Sequence, residues 1–281
     1  MVNESALRDA IQEAAQPSGE QWIIGFEQVK RVAEVYGPVR DVELAALQLG
    51  IVPARYERNL GTIGVDGQRK LLQASVAIVG LGGLGGYVAE ALARIGIGHL
   101  ILIDGDEFEA HNLNRQLFSR EGNLGVAKPE VACQRVNEVN GAVETVCHTE
   151  FLTSENLTRL LAGADVVVDA LDRLPIRLVL QDGARDLGIP LVHGSIAGFL
   201  GQVMTIFPED AGLHALYGDG EGLPDQGLES ELGTPAPTPM VVAAWEAQEV
   251  VKLLTGQGEL LRGRLLVIDM ESGTSQVLEL R

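Results

Sequence analysis

The chain has 281 residues, enough for one large α/β domain with an appendage. Hydrophobic residues make up 46% of it and aromatics only 4%, so its core must be aliphatic. A formal charge of −18 excludes a general phosphate-backbone partner such as nucleic acid, and two cysteines, Cys133 and Cys147, exclude a disulfide framework or a four-thiolate zinc site.

The first ten residues, MVNESALRDA, show no basic region followed by an apolar one, so no secretory signal is expected. Helices are predicted over 4–16, 21–36 and 42–49, separated by Pro17-Ser18-Gly19 and Gly37-Pro38 and stopped at Gly50. Residues 1–54 are therefore read as a helical extension, with Trp22, Ile23, Phe26 and Val29 as its packing face. Residues 55–281 form the main domain. Positions 71–89 carry no charge, but five glycines within them suit a buried strand and turn rather than a membrane span. The expectation is a soluble, cytoplasmic protein without membrane contact.

From position 75 the pattern alternates. Strands are predicted at 76–80, 99–104, 143–151, 164–171 and 190–198, with helices at 84–96, 128–140, 154–162 and 176–188. Such alternation implies a doubly wound, mostly parallel, Rossmann-like sheet covered on both faces. Residues 199–207 are read as an antiparallel return, 209–239 as a long glycine- and proline-rich loop, and 240–255 as a helix. RLLVIDM and SQVLEL close the chain as an antiparallel hairpin.

The most informative stretch is VAIVGLGGLGG at 76–86. Gly80, Gly82 and Gly85 form G-x-G-x-x-G between a strand and a helix, where a backbone without Cβ atoms can approach a phosphate and the helix N-terminus can receive it. Asp104 lies 19 residues after Gly85, at the next strand's end, placed to accept bonds from a ribose. A merely tight strand-to-helix turn is the competing account. Asn112, Arg115 and Gln116 follow on one short turn, Lys128 begins a helix, and Asp169 and Asp172 close the fourth strand, with Arg177 beyond. Each alone has a plainer account: surface charge for Arg115 and Lys128, a helix N-cap for Asp172. Together at the carboxyl edge of one sheet, two cations and two carboxylates suit nucleotidyl or phosphoryl transfer. Cys133 and Cys147 lie in segments patterned as core, while His193 and His214 are single and receive no role.

At this point the sequence resembles the ThiF/MoeB/HesA adenylyltransferases, relatives of ubiquitin-activating enzymes, over residues 55–281. The likeness rests on RYERN (55–59) with a glycine–glutamine ending at Gln68, GLGGLGG, DGD (104–106), HNLNRQ (111–116), GVAK (125–128), DALDR (169–173), GSIAGFLGQV (194–203) and EAQEVVKLLTG (246–256). It implies that ATP with Mg²⁺ activates a carboxylate, usually the C-terminal glycine of a ubiquitin-like sulfur carrier ending in Gly-Gly, or a peptide C-terminus. Carried over by position, Gly80, Gly82, Gly83, Gly85, Asp104 and Asp106 would hold the nucleotide. Asn112 and Gln116 would line the site, Arg115 and Lys128 would contact the triphosphate, and Asp172 would organise the metal. Arg58 would reach into the partner subunit's site in a homodimer.

Three features depart from the family pattern. The chain has no Cys-x-x-Cys pairs for zinc, no cysteine within 209–239 for a thioester, and Asp172-Arg173 where an aspartate–asparagine pair is usual. Two other readings stay open on sequence alone: an NAD-dependent oxidoreductase, which Asp104 would serve equally, and a scaffold that binds nucleotide without catalysis.

Overall fold

The computed structural model describes residues 4–280 apart from 221, 223, 225 and 226. The expectations for residues 1–3 and for those four positions of the 209–239 loop lie outside the described residues. Helix α1 (Glu4–Ala14) leads into strands β1 (Gln16–Ser18) and β2 (Gln21–Ile24), then α2 (Phe26–Tyr36), α3 (Val39–Gln48) and β3 (Ile51–Pro53). β2 pairs antiparallel with β1 and parallel with β3. The extension is thus a small α/β unit, which corrects the all-helical expectation. Pro17-Ser18-Gly19 does more than break a helix. Gly19, at φ 60°, turns a two-residue hairpin, and the apolar run Trp22-Ile23-Ile24 enters a strand before the helix begins.

Ile24 and Val29 are buried with Ile11, Val32, Val42, Ala46 and Ile51 in that unit's own core. Trp22 and Phe26 are not: they are 53% and 47% exposed, a correction to the expected packing face. The Phe26 ring instead carries Lys30 and Arg55, 4.6 and 5.0 Å from its centroid.

A 3₁₀ turn (Ala54–Asn59) and α4 (Leu60–Gln73) connect to the main sheet. Neither was anticipated, because three glycines obscure the helical pattern; Gly64, at φ 68°, kinks α4 between two helical pieces. There follow β4 (Ser75–Val79), α5 (Gly85–Ile95), β5 (His99–Ile103), α6 (Lys128–Val139), β6 (Glu144–His148), α7 (Leu157–Leu160), β7 (Val166–Asp169), α8 (Leu174–Asp186), β8 (Leu191–Ala197) and β9 (Leu200–Ile206). Short helices α9 (His214–Tyr217) and α10 (Glu229–Leu232) punctuate the stretch expected as a structureless loop, and α11 (Pro237–Thr255), β10 (Arg264–Asp269) and β11 (Thr274–Glu279) complete the chain.

The eight strands run in the order β11-β10-β9-β8-β7-β4-β5-β6. β6 through β8 are parallel and the last three are antiparallel, as the sequence pattern implies. The chain leaves central β4 towards β5 and returns to β7 on its other side, so the crevice where strand order reverses opens at the carboxyl end of β4. Successive β4 residues serve opposite cores: Val76 and Ile78 face one, Ala77 and Val79 the other. That two-sided burial explains the unbroken apolar run. The uncharged stretch at 71–89 is the end of α4, then β4, the glycine turn and the start of α5, and among the described residues no helix is long and apolar enough to cross a membrane.

Cys133 on α6 is buried, but Cys147 on β6 is exposed, and the two form a disulfide. The expectation of two separate core cysteines is corrected. β6 is one of the sheet's two edge strands, so a segment patterned as core is covered on fewer sides there.

The extension docks at the sheet's opposite end from the crevice. Glu43 of α3 is buried beside Arg55, whose Nε lies 3.0 Å from Oε1. Arg55 also donates to Asn140, which donates to the Tyr56 hydroxyl at 3.0 Å and to the Ala93 carbonyl at 2.9 Å. Burial raises the Glu43 carboxyl to about 7, with Arg55 and the Tyr56 hydroxyl pulling the other way.

Candidate active site

The glycine turn is built by neighbours that leave no room for side chains. Gly80 has φ 92°, and a Cβ there would lie 2.5 Å from the Ala170 carbonyl oxygen. A Cβ on Gly85 would collide with the Gly80 carbonyl. Those two glycines shape the loop. Gly82 and Gly83 have looser surroundings and line the cleft itself, so their bare backbone is what a ligand would approach.

The cleft has a volume of about 1270 Å³ and lies at the carboxyl ends of β4, β5 and β7. Asp104 anchors its rear. Its Oδ2 accepts the Leu81 N–H at 2.6 Å and its Oδ1 the Asp106 N–H at 2.8 Å. Burial pushes the Asp104 carboxyl up, and Lys128 and the two backbone bonds oppose this. Lys128, at the first position of α6, is buried, with its Nζ 3.0 Å from Asp106 Oδ2 and 3.8 Å from Asp104 Oδ2. Arg115 donates to the His111 carbonyl and to Asn114 Oδ1. Burial lowers its pKa while Asp172, across the cleft, raises it. Asp172 is exposed on the cleft wall.

Gln116 is buried beside Gly82, and its Oε1 has no hydrogen-bond partner among the described residues. An orphaned acceptor next to a bare glycine turn, with Lys128 and Arg115 supplying charge, fits a ligand bearing both hydrogen-bond donors and phosphates. Among the described residues no group of three or more His, Cys, Asp or Glu side chains is arranged to hold a metal ion. A Mg²⁺ carried by a nucleotide needs only one or two carboxylates beside the phosphate oxygens, and Asp172 supplies one.

Of the residues singled out in the sequence, Gly80, Gly82, Gly83, Asp104, Asp106, Arg115, Gln116, Lys128, Asp172 and Arg177 line this one cleft, while Asp169 is buried behind it. Asn112 does not. It is buried, with Oδ1 accepting the Glu109 N–H at 2.9 Å, so it caps the 3₁₀ turn (Ala110–Asn112) that aims Arg115 and Gln116. Arg58 does not either. It is exposed and has no hydrogen bond or ion pair among the described residues, and its neighbour Asn59 bonds the Ile95 carbonyl at the far end of α5. Eleven residues of α5, roughly 16 Å of helix, separate that end from the glycine turn. Gln68 of the same motif bonds Asn59 and the Ile95 carbonyl, which is a structural role.

Sequence reading missed Phe151, which lines the cleft with its ring packed against Gly105; a lone aromatic after a strand gives no signal. The two histidines read as unpaired are both paired: His193 with Asp169 at 2.7 Å and His214 with Asp182 at 2.9 Å. Their partners lie 24 and 32 residues away, beyond any local pattern.

The sequence profile described as the ThiF family matches residues 56–281, most of the chain and the whole of this cleft. The chain belongs to the ThiF family. This ThiF-family chain is 36% identical over 232 residues to the SAMP-activating enzyme E1 of Haloferax volcanii, covering 81% of itself and 85% of that protein. It is 36% identical to the adenylyltransferase and sulfurtransferase MOCS3-2 of Zea mays and 37% identical to MOCS3 of Drosophila sechellia, covering 83% and 81% of itself. It spans about half the length of those two relatives, 50% and 51%. Among solved structures, Escherichia coli MccB with AMPCPP and MccA has a TM-score of 0.69 at 24% identity, over 81% of this chain and 71% of that one, a likeness of fold. PaaA has a TM-score of 0.67 at 25% identity, over 80% and 72%.

Proposed function

We infer that this ThiF-family chain is an ATP-dependent adenylyltransferase that activates a C-terminal carboxylate, that of a ubiquitin-like carrier ending in Gly-Gly. The observation that carries this is a single cleft holding a bare glycine turn, a buried Asp104, two cations and an exposed Asp172. Arg115 and Lys128 together match the greater charge of a triphosphate better than that of a dinucleotide's diphosphate. The names of the relatives, an activating enzyme and adenylyltransferases, support the same chemistry.

In this reaction a carboxylate oxygen of the carrier attacks the α-phosphorus of ATP. The new O–P bond forms as the α,β-bridging P–O bond breaks, giving an acyl-adenylate and pyrophosphate. No proton must be removed from the nucleophile, so the chain's work is placement and charge stabilisation. Asp104 holds the ribose, Gly82 and Gly83 admit the phosphates, and Lys128 and Arg115 offset their charge. Mg²⁺, when bound with the nucleotide, would sit on Asp172 and neutralise phosphate oxygens.

Arg58, exposed and far from its own cleft, fits service in the cleft of a second copy. Leu113, Leu117, Met240, Val241 and Trp245 are exposed apolar side chains that contact with such a copy would cover. The active unit in this reading is a homodimer, working in the cytoplasm where ATP is supplied. Neither Cys133 nor Cys147 lines the cleft, and the reading needs neither zinc nor a thioester on this chain. ATP–pyrophosphate exchange with a recombinant Gly-Gly carrier tests it, together with calorimetry. Exchange dependent on the terminal carboxylate is expected, and tight NAD binding without ATP binding in the presence of Mg²⁺ would overturn it.

A further inference from the structure

At the edge of the cleft, which it helps to line, Arg177 reaches from α8 into a buried corner between the ends of β7 and β8. Its Nη2 donates to the Leu171 carbonyl and its Nη1 to the Gly194 carbonyl at 2.8 Å, while Nη1 lies 3.6 Å from Asp169 Oδ2. Asp169 Oδ1 accepts the Leu171 N–H at 3.1 Å, and Oδ2 lies 2.7 Å from His193 Nδ1. The last distance sets the tautomer: the imidazole proton is on Nδ1, and the approach of Arg177 Nη1 to that atom at 3.2 Å is a contact between two donors. Burial holds the His193 pKa down, so the ring is neutral. Burial would raise the Asp169 carboxyl, yet Arg177 and His193 bring it below its ordinary range.

The two peptide groups flanking the Leu171 Cα are thereby held, one through its N–H by Asp169 and the next through its carbonyl by Arg177. The neighbours of Leu171 are the two places that matter. The Ala170 carbonyl abuts Gly80 of the glycine turn, and Asp172 opens into the cleft. A buried ion pair is a poor stabilising device, often matched by apolar residues of similar size. Here its bonds go to backbone carbonyls of the cleft floor.

We propose that Arg177 is a positioning residue for adenylation, fixing segment 170–172 so that Asp172 faces the triphosphate in one orientation. The proposal rests on the role given to Asp172 above. A lysine would keep the charge beside Asp169, but a single ammonium cannot bridge the Leu171 and Gly194 carbonyls as a planar fork does.

The test is ATP–pyrophosphate exchange, with a recombinant ubiquitin-fold carrier ending in Gly-Gly, for wild type, Arg177→Lys, Asp172→Asn and the double variant. Arg177→Lys should lower kcat on the order of 10²-fold, as a displacement near 1 Å does, with KM for ATP close to wild type. In the double variant the rate should fall no further than in Asp172→Asn, because Arg177 acts through that residue. Multiplicative losses, or a rise in KM alone, would overturn the proposal. An Asp172→Asn enzyme at wild-type rate would instead remove the reading beneath it. If Arg177→Lys does not fold, Asp169→Asn with Arg177→Gln serves, since it leaves no unpaired buried charge. Failure of both to fold would assign the network to stability alone and overturn the proposal.

Discussion

Two glycines six positions apart should respond oppositely to the same change. Gly80→Ala places a methyl group at φ 92°, where L side chains are strained, and 2.5 Å from the Ala170 carbonyl oxygen. Ordinary contact begins at 3.4 Å. Segment 170–172 must therefore retreat by about 0.9 Å, and a misplacement of that size near the reacting groups costs on the order of 10²-fold in rate. Backbone strain adds roughly 1–3 kcal/mol of destabilisation. Gly86→Ala, by contrast, sits in the first turn of α5 with its nearest neighbours, Phe118 and Leu117, at 3.6 and 3.7 Å. It should fold at least as well as wild type, gaining up to about 1 kcal/mol from helix propensity. Thermal melts, calorimetry with ATP and pyrophosphate exchange on both variants decide the matter. Wild-type exchange in Gly80→Ala, or equal damage from Gly86→Ala, would refute the reasoning.

Asp172→Asn should lower exchange on the order of 10²–10³-fold while melting normally, as loss of a charge-stabilising group does. Mixing Arg58→Ala with Asp172→Asn subunits should restore part of the activity, since some heterodimers hold one intact site; no recovery despite proven subunit exchange would place each site within one chain. The Glu43 carboxyl, raised from 4.5 to about 7, binds more protons folded than unfolded. Its contribution is fully present below pH 4.5 and is lost as pH rises to 7, a change on the order of 3 kcal/mol. Glu43→Gln should flatten that slope in denaturant melts at pH 5 and 8, and identical slopes would contradict the assignment. A Cys133→Ala, Cys147→Ser variant should keep its exchange activity and contain no stoichiometric zinc; a carrier thioester on either cysteine of the wild type would show a second chemical step.

The parallel sheet was legible because each of its central strands is apolar on both faces and each connection is helical, so Val76–Val79 reads almost without ambiguity. The cleft was legible for a related reason: in this topology the glycine turn, Asp104 and Asp172 all follow strand ends, strand ends share one edge, and Lys128 opens the helix that returns from it. What escaped notice depends on distant partners. Nothing near His193 in sequence announces Asp169, and Asn112 looks like a ligand residue until its bond to the Glu109 N–H shows it capping a turn. The hairpin at Gly19 and the helix broken at Gly64 were hidden by glycines whose backbone angles sequence does not display. Cys147 looked buried because an edge strand and a central strand can carry the same residues.

The seating of Gly80 also bears on when, during synthesis, the chain becomes able to hold a nucleotide. Gly80 donates to the Ile103 carbonyl at 2.8 Å, a partner made early, yet it is packed against Ala170, and the Ala170 N–H closes onto Val79 at 2.9 Å. A nascent chain that has emerged only through α6 already carries the glycine turn, Asp104, Arg115 and Lys128, but β4 still lacks the neighbour that covers its second edge. Until β7 leaves the ribosome, the turn has its residues without its shape, and the apolar flank of β4 is exposed for chaperones to cover.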